Sequence, residues 1–262
     1  MNKFYLSILI AYFTISCTNT GNRTADANIT DSIPAVDNSG LGEDDEDYSE
    51  WYKTYLNNYS YEGIKAFEPM AYNESDYSKQ LFNIMDTIVG LFKDSDRYYM
   101  KKCWIVKTNV YEGKCGDNPV IEPTLNTNEK CLFLFRGLKQ YAISYSIDTI
   151  SIGQKLKLSA NDIKDFTFNN VSYRLRAEVT KDYKLYLESD GKSQCLVDIR
   201  KHSNTTTEIC FIGDLDIDGK PDFIIKSTDS KGNYRLLLFL SLRTEGDDFV
   251  KLVSVLADTF AC

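Results

Sequence analysis

From residue 103 onward the chain reads as short apolar runs broken by turn residues. Runs rich in Tyr, Phe, Ile, Val and Leu fall at 103–110, 131–136, 141–147, 164–168, 171–179, 182–188, 193–199, 208–213, 222–227, 233–241 and 249–256. Each has the composition of a β-strand. Within 171–179, Tyr173, Leu175, Ala177 and Val179 alternate with Arg174, Arg176 and Glu178. That is the period-two pattern of a half-buried antiparallel strand. Asp190-Gly191 marks a hairpin between 182–188 and 193–199. Lys231-Gly232-Asn233 plays a similar part before Arg235-Leu236-Leu237-Leu238-Phe239-Leu240-Ser241. This last run is continuously apolar and predicts a central strand.

Upstream the period changes. Leu81, Ile84, Met85, Ile88, Val89, Leu91 and Phe92 share one helical face, which predicts a helix over 77–93. Ser75, Asp76 or Ser78 could cap its start, while Gly90 weakens it. Tyr48, Trp51, Tyr52, Tyr55 and Tyr59 recur at helical spacing and predict a short aromatic helix within 48–62. Their rings suit packing on the body better than a stacking platform for sugars. The expected fold class is α+β, predominantly antiparallel β. The β part is sandwich-like or a curved sheet, and one or two N-terminal helices pack on one face. Residues 51–262 form the expected single β-rich globular domain, with an aromatic and helical part at 51–100 and a β part at 101–262.

The first 50 residues have another character. In residues 1–16, Lys3 precedes a short apolar stretch, as in a secretory signal peptide. The stretch is shorter than the about 20 apolar residues that span a bilayer. Thr14-Ile15-Ser16-Cys17 resembles a bacterial lipobox, with Thr14 where leucine is usual. That resemblance implies lipidation of Cys17; the other reading is an ordinary signal peptide. Residues 17–50 are rich in Asn, Thr, Ser, Asp and Gly and carry the run Glu43-Asp44-Asp45-Glu46-Asp47. This composition predicts a disordered acidic tether. It also accounts for the net charge of −8: nine of the 38 acids but two of the 30 bases lie in residues 1–50. The remainder, with 29 acids and 28 bases, is nearly neutral and has no basic stripe for nucleic acid.

One run carries candidate chemistry. Gly213-Asp214-Leu215-Asp216-Ile217-Asp218-Gly219-Lys220-Pro221-Asp222 sets three carboxylates at alternate positions, with a fourth four residues on. Such a cluster repels itself unless a cation sits in it. Calcium takes six to eight oxygens at about 2.3–2.6 Å. Counted as an EF-hand loop, Asp214, Asp216 and Asp218 occupy positions 1, 3 and 5. Gly219 takes the sharp turn at 6, Lys220 offers its carbonyl at 7, and Asp222 stands at 9. Position 12 is Ile225, and the flanks are strand-like, so this is not an EF-hand. The run resembles the Asp-x-Asp-x-Asp-Gly-x-x-Asp loops of FG-GAP-type and dockerin-type calcium modules. That resemblance implies Asp214, Asp216, Asp218 and Asp222 as side-chain ligands of one structural calcium. It does not imply a propeller, because the loop occurs once. The competing reading is an exposed acidic hairpin without metal.

Cysteine and histidine usage narrows the rest. Apart from Cys17 there are six cysteines, Cys103, Cys115, Cys131, Cys195, Cys210 and Cys262. In an exported chain these suggest up to three disulfides with 15 arrangements. A Cys210–Cys262 bridge is one of them. His202, the single histidine, lies in a polar run. No nucleophile elbow, zinc-protease helix or phosphate loop accompanies it. The C-terminal part, with the acidic loop, Leu238-Phe239-Leu240-Ser241-Leu242 and a closing Cys262, resembles uncharacterised lipoproteins of Bacteroidetes-type bacteria. That resemblance implies an outer-membrane lipoprotein facing the periplasm or the surface. The expected function is therefore a non-enzymatic, membrane-anchored, calcium-stabilised protein with a surface for a protein or glycan ligand. The alternatives are a glycan hydrolase using a carboxylate pair and a periplasmic inhibitor or immunity protein.

Overall fold

The computed structural model describes residues 63–73, 88–112, 119–138, 144–150, 156–199, 206–228, 234–241 and 248–257. Along the chain they form β1 (Lys65–Phe67), β2 (Tyr72–Asn73), β3 (Ile88–Asp94), β4 (Arg97–Cys103), β5 (Ile105–Tyr111), β6 (Val120–Leu125), β7 (Cys131–Arg136) and β8 (Ser144–Ser146). Next come β9 (Leu156–Leu158), β10 (Ile163–Phe168), β11 (Val171–Val179), β12 (Tyr183–Ser189) and β13 (Lys192–Ile199). The last four are β14 (Thr206–Gly213), β15 (Asp222–Thr228), β16 (Tyr234–Leu240) and β17 (Lys251–Ala257). All the strand pairings are antiparallel, and the described residues contain no helix.

This overturns the α+β expectation: the described protein is all-β. Residues 88–93, expected on a helix, form β3, paired with β4 on one side and β7 on the other. Ile88, Val89, Leu91 and Phe92 are all buried. A helix would bury one stripe of them, whereas an interior strand buries both of its faces. The helical spacing came from 77–87, which lie outside the described residues, as does the expected aromatic helix within 48–62.

The strands form four sheets. One has the order β1-β7-β3-β4-β8 and another is the meander β10-β11-β12-β13. A third has the order β17-β16-β15-β14-β9, and the three-stranded sheet has the order β2-β6-β5. The third sheet is the middle layer. Leu236, Leu238 and Leu240 join one core with residues of β3, β4 and β7. Leu237 and Phe239, between them, join a second core with Leu175, Leu185 and Val197 of the meander. β15 divides in the same way, with Ile224 in the first core and Phe223 and Ile225 in the second. A strand buried on both faces has no polar side to show, hence the unbroken apolar runs.

Turn chemistry fits the hairpins. Asp190 and Gly191 both take positive φ, 48° and 75°, and so do Asn169 and Asn170, 45° and 65°. Two consecutive positive φ values make the turn that matches strand twist. The 147–150 segment ties two sheets together. Ile147 N–H donates to Tyr98 O (3.1 Å) and Ile150 N–H to Ile212 O (3.2 Å). Gly213 allows this approach: a Cβ there would lie 2.7 Å from Asp148 O and 2.6 Å from Phe211 Cζ.

No disulfide forms among the described residues. Cys103 and Cys131 lie on β4 and β7 with β3 between them. Two strand spacings, about 9.6 Å, exceed the Cα separation of about 7 Å that a disulfide tolerates. Cys195 belongs to the meander and Cys210 to the middle sheet. Cys115, Cys262 and Cys17 lie outside the described residues, and so does the Cys210–Cys262 pairing, one of the fifteen arrangements. Burial pushes the Cys103 thiol up to about 11, against the nearby Lys101 charge.

Two outcomes test this arrangement. Alanine at Leu237, Leu238 and Phe239 in turn should each destabilise by about 2–5 kcal/mol in urea unfolding. A sheet with one wet face would spare alternate positions. Cys103 should resist iodoacetamide at pH 8 until the protein is unfolded, read by peptide mass spectrometry; rapid native labelling would contradict its burial.

Candidate metal centre

The acidic loop links the end of β14 to the start of β15 in the middle sheet. Leu215 anchors it by inserting its side chain into the first core, and Tyr145 O–H reaches Leu215 O at 3.4 Å. Gly219 takes a φ of 85°, a left-handed turn that glycine adopts without strain. Ile217 takes a φ of 62° and is 49 % exposed. A β-branched residue is strained in that region. Asn169, in the β10–β11 turn, donates its side-chain N–H to Gly219 O at 2.8 Å.

The loop folds around its own carboxylates. Asp214 Oδ1 accepts from Asp218 N–H and Oδ2 from Gly219 N–H, each at 2.9 Å. Asp218 Oδ1 accepts from Lys220 N–H at 2.9 Å, and the Lys220 side chain is exposed. Asp214, Asp216 and Asp218 each bring a carboxylate oxygen within 4.8 Å of the others. Asp214 (7 %) and Asp216 (6 %) are buried, and Asp218 is exposed.

Asp222 is placed differently from its three neighbours. It is completely buried and does not join their cluster. Oδ2 accepts from Leu215 N–H (2.6 Å) and Asp216 N–H (3.3 Å). Oδ1 accepts from Ser241 N–H (2.7 Å) and faces Ser241 Oγ (3.1 Å). Its role is to hold the turn of the loop and the end of β16. The Ser241 hydroxyl also lies 2.9 Å from Asp218 Oδ1, so its one hydrogen is shared between two carboxylates. Ser241 stands out only as the polar residue ending a wholly apolar run.

Burial dominates the electrostatics. It pushes the Asp222 carboxyl well above the usual carboxylate range, and the Asp216 charge adds to this. Hydrogen bonds from Ser241 and Leu215 pull the other way. Burial also raises Asp214, against backbone N–H groups of Gly219 and Asp218. Among the described residues no lysine or arginine forms an ion pair with Asp214, Asp218 or Asp222. His202 and Cys17 lie outside the described residues.

No known protein family, curated protein or solved structure matches the chain. What the loop can do follows from its own geometry. Three carboxylates each bring an oxygen within 4.8 Å of the others, and a fourth accepts from backbone N–H groups of the same loop.

Asp222→Ala would strand buried N–H groups of Leu215, Asp216 and Ser241. At about 1–3 kcal/mol for each unsatisfied group, it should cost the protein most of its folding free energy in urea unfolding. Ile217→Gly should instead raise stability by about 1 kcal/mol through relief of the left-handed strain. A loss on that substitution would show that the exposed isoleucine is held by something else.

Proposed function

We propose that the loop 214–222 holds one calcium ion, which stabilises a non-catalytic, lipid-anchored envelope protein. The observation that carries this reading is the convergence of Asp214, Asp216 and Asp218 within 4.8 Å. Two oxygens on opposite sides of a calcium ion lie about 4.6–5.2 Å apart, twice the metal–oxygen distance. The cluster therefore fits one calcium sphere. Magnesium demands strict octahedral geometry and gives up its waters reluctantly, which suits a set of side-chain carboxylates less. Lys220 O and water complete the set, while Asp222 serves as the support beneath it.

Calcium also answers the electrostatic problem of the loop. Three of its carboxylates, Asp214, Asp216 and Asp222, are buried, where like charges are screened less than in water. A structural role fits better than a catalytic one, because Asp214 and Asp216 are sunk and only the Asp218 side is open. Anchoring at the membrane rests on the signal-like residues 1–16 and on Cys17 in its lipobox-like setting. Mature protein carrying a diacylglyceryl group on Cys17, absent from a Cys17→Ala variant, would support it. A soluble, unmodified mature chain would remove that half of the reading.

For the ion, thermal unfolding of chelator-stripped protein decides. At a hundredfold excess of calcium over Kd the stabilisation is about 2.7 kcal/mol. For a body of this size that raises Tm by about 5–11 °C. Asp216→Asn should abolish most of the shift, and terbium should luminesce at the loop in the parent alone. An unchanged Tm between about 10 µM and 10 mM calcium, the range of extracellular modules and sensors, would sink the proposal.

A further inference from the structure

We infer that the outer edge of β5 joins two copies of this chain, their strands running antiparallel about a two-fold axis at Asn109. β5 ends the sheet β2-β6-β5, and among the described residues no strand pairs with its other side. Of the seven large apolar side chains exposed among the described residues, Trp104, Val106, Val110 and Tyr111 fall within 104–111, each 49–62 % exposed. Scattered singly, such side chains would need no explanation. Gathered on an open strand edge they mark a surface for pairing.

The ladder with β6 decides which backbone groups of β5 face outward. At its start Asn126 N–H donates to Trp104 O at 3.0 Å. From there bonded and unbonded pairs alternate, as in any antiparallel ladder. Val106 bulges, so that Ile105 faces Leu125 and Lys107 faces Thr124. Thr108 then falls opposite Pro123, which has no N–H to give, and Val110 falls opposite Ile121. Thr108 and Val110 therefore turn N–H and C=O outward, while Asn109 and Tyr111 turn theirs to β6.

What this edge fits is itself. With a second copy turned about Asn109, Thr108 of each copy meets Val110 of the other, each pair exchanging both of its N–H···O bonds. Two β-branched side chains then pack together on one face. On the other face Asn109 meets Asn109, and Lys107 comes opposite Tyr111 of the second copy. The Tyr111 hydroxyl donates to Glu122 Oε2 at 3.1 Å, so Lys107 gains a ring and a carboxylate. Among the described residues Lys107 has no ion pair of its own. A flexible peptide is a poorer occupant. The bulge at Val106 bends the strand away, and the short stretch left offers few bonds against the loss of peptide freedom. β5 of a second copy is already held in shape by its own β6. The arrangement also closes, since each edge is used up by the other.

The pairing needs neither the ion nor the lipid anchor, so the test uses the full chain carrying Cys17→Ala. Sedimentation equilibrium up to about 300 µM, past the micromolar end of standard interfaces, should show monomer and dimer in exchange. Val110→Lys, at an exposed position and checked for an unaltered Tm, should weaken the dimer roughly tenfold or more, since a charge on the edge opposes pairing. Under mild oxidation Asn109→Cys should give a 109–109 linked peptide by mass spectrometry. Facing residues of an unbonded pair have Cα atoms about 4.5 Å apart, within disulfide reach. Lys107→Cys, offset from its own counterpart, should give no such link. A monomer at every concentration would overturn the proposal, as would a dimer that Val110→Lys leaves intact or that links through 107 instead of 109. A monomer whose 104–111 amides gain exchange protection on lipid vesicles would assign the patch to the membrane and overturn it too.

Discussion

A sheet covered by protein on both faces leaves little water within reach, and this constraint governs the layers around it. Every side chain of β15 and β16 must be apolar or find its partner inside the protein. The apolar positions divide between two cores, Leu236, Leu238 and Leu240 on one side and Leu237 and Phe239 on the other. Several polar side chains of this sheet are put to use. Ser254 Oγ accepts from Ala66 N–H of the neighbouring sheet at 3.1 Å. Lys226 meets Glu68 at 3.5 Å across the same junction. Asp222 takes N–H groups from the loop and from the residue that follows β16.

The acidic loop is where these demands and the chemistry meet. It leaves the middle sheet through Gly213, close against Asp148, and returns through Asp222. It touches each neighbouring layer on the way. Leu215 lies in the first core, Asn169 of the meander holds Gly219 O, and Ser241 lies beneath Asp218. The three converging carboxylates therefore stand on a backbone fixed from several sides. A site on such a support loses little order when it takes up an ion.

The strands that the sequence shows plainly are those with one clear period. All eleven expected strands from residue 103 onward have a counterpart, and β7 and β11 match to the residue. What stayed hidden has local causes. β3 was masked by a helical period inherited from 77–87. Arg97–Cys103 mixes tyrosines and lysines without alternation. Pro123 speaks against a strand at β6, yet β2 pairs only with Val120 and Ile121, so β6 is an edge where the proline sits. Gly219 and the spacing of Asp214, Asp216 and Asp218 were legible because they are local. The grip of Asp222 on Ser241 spans 19 positions, and spacing within the loop pointed to a ligand instead. Even cysteine number suggested bridges, but only the strand order reveals that β3 separates Cys103 from Cys131.

Apart from β9, the middle layer is also the last to be made. β1 to β8 and β10 to β13 leave the ribosome before β14 to β17, which complete the layer between them. At synthesis rates of about 5–20 residues per second, the apolar residues of the outer strands precede their partners in β14 to β17 by seconds. In that interval the apolar residues destined for the two cores have no middle layer to cover them. Its vulnerable moment is thus set by chain direction: the region most protected in the finished protein is the one whose late arrival leaves everything else exposed.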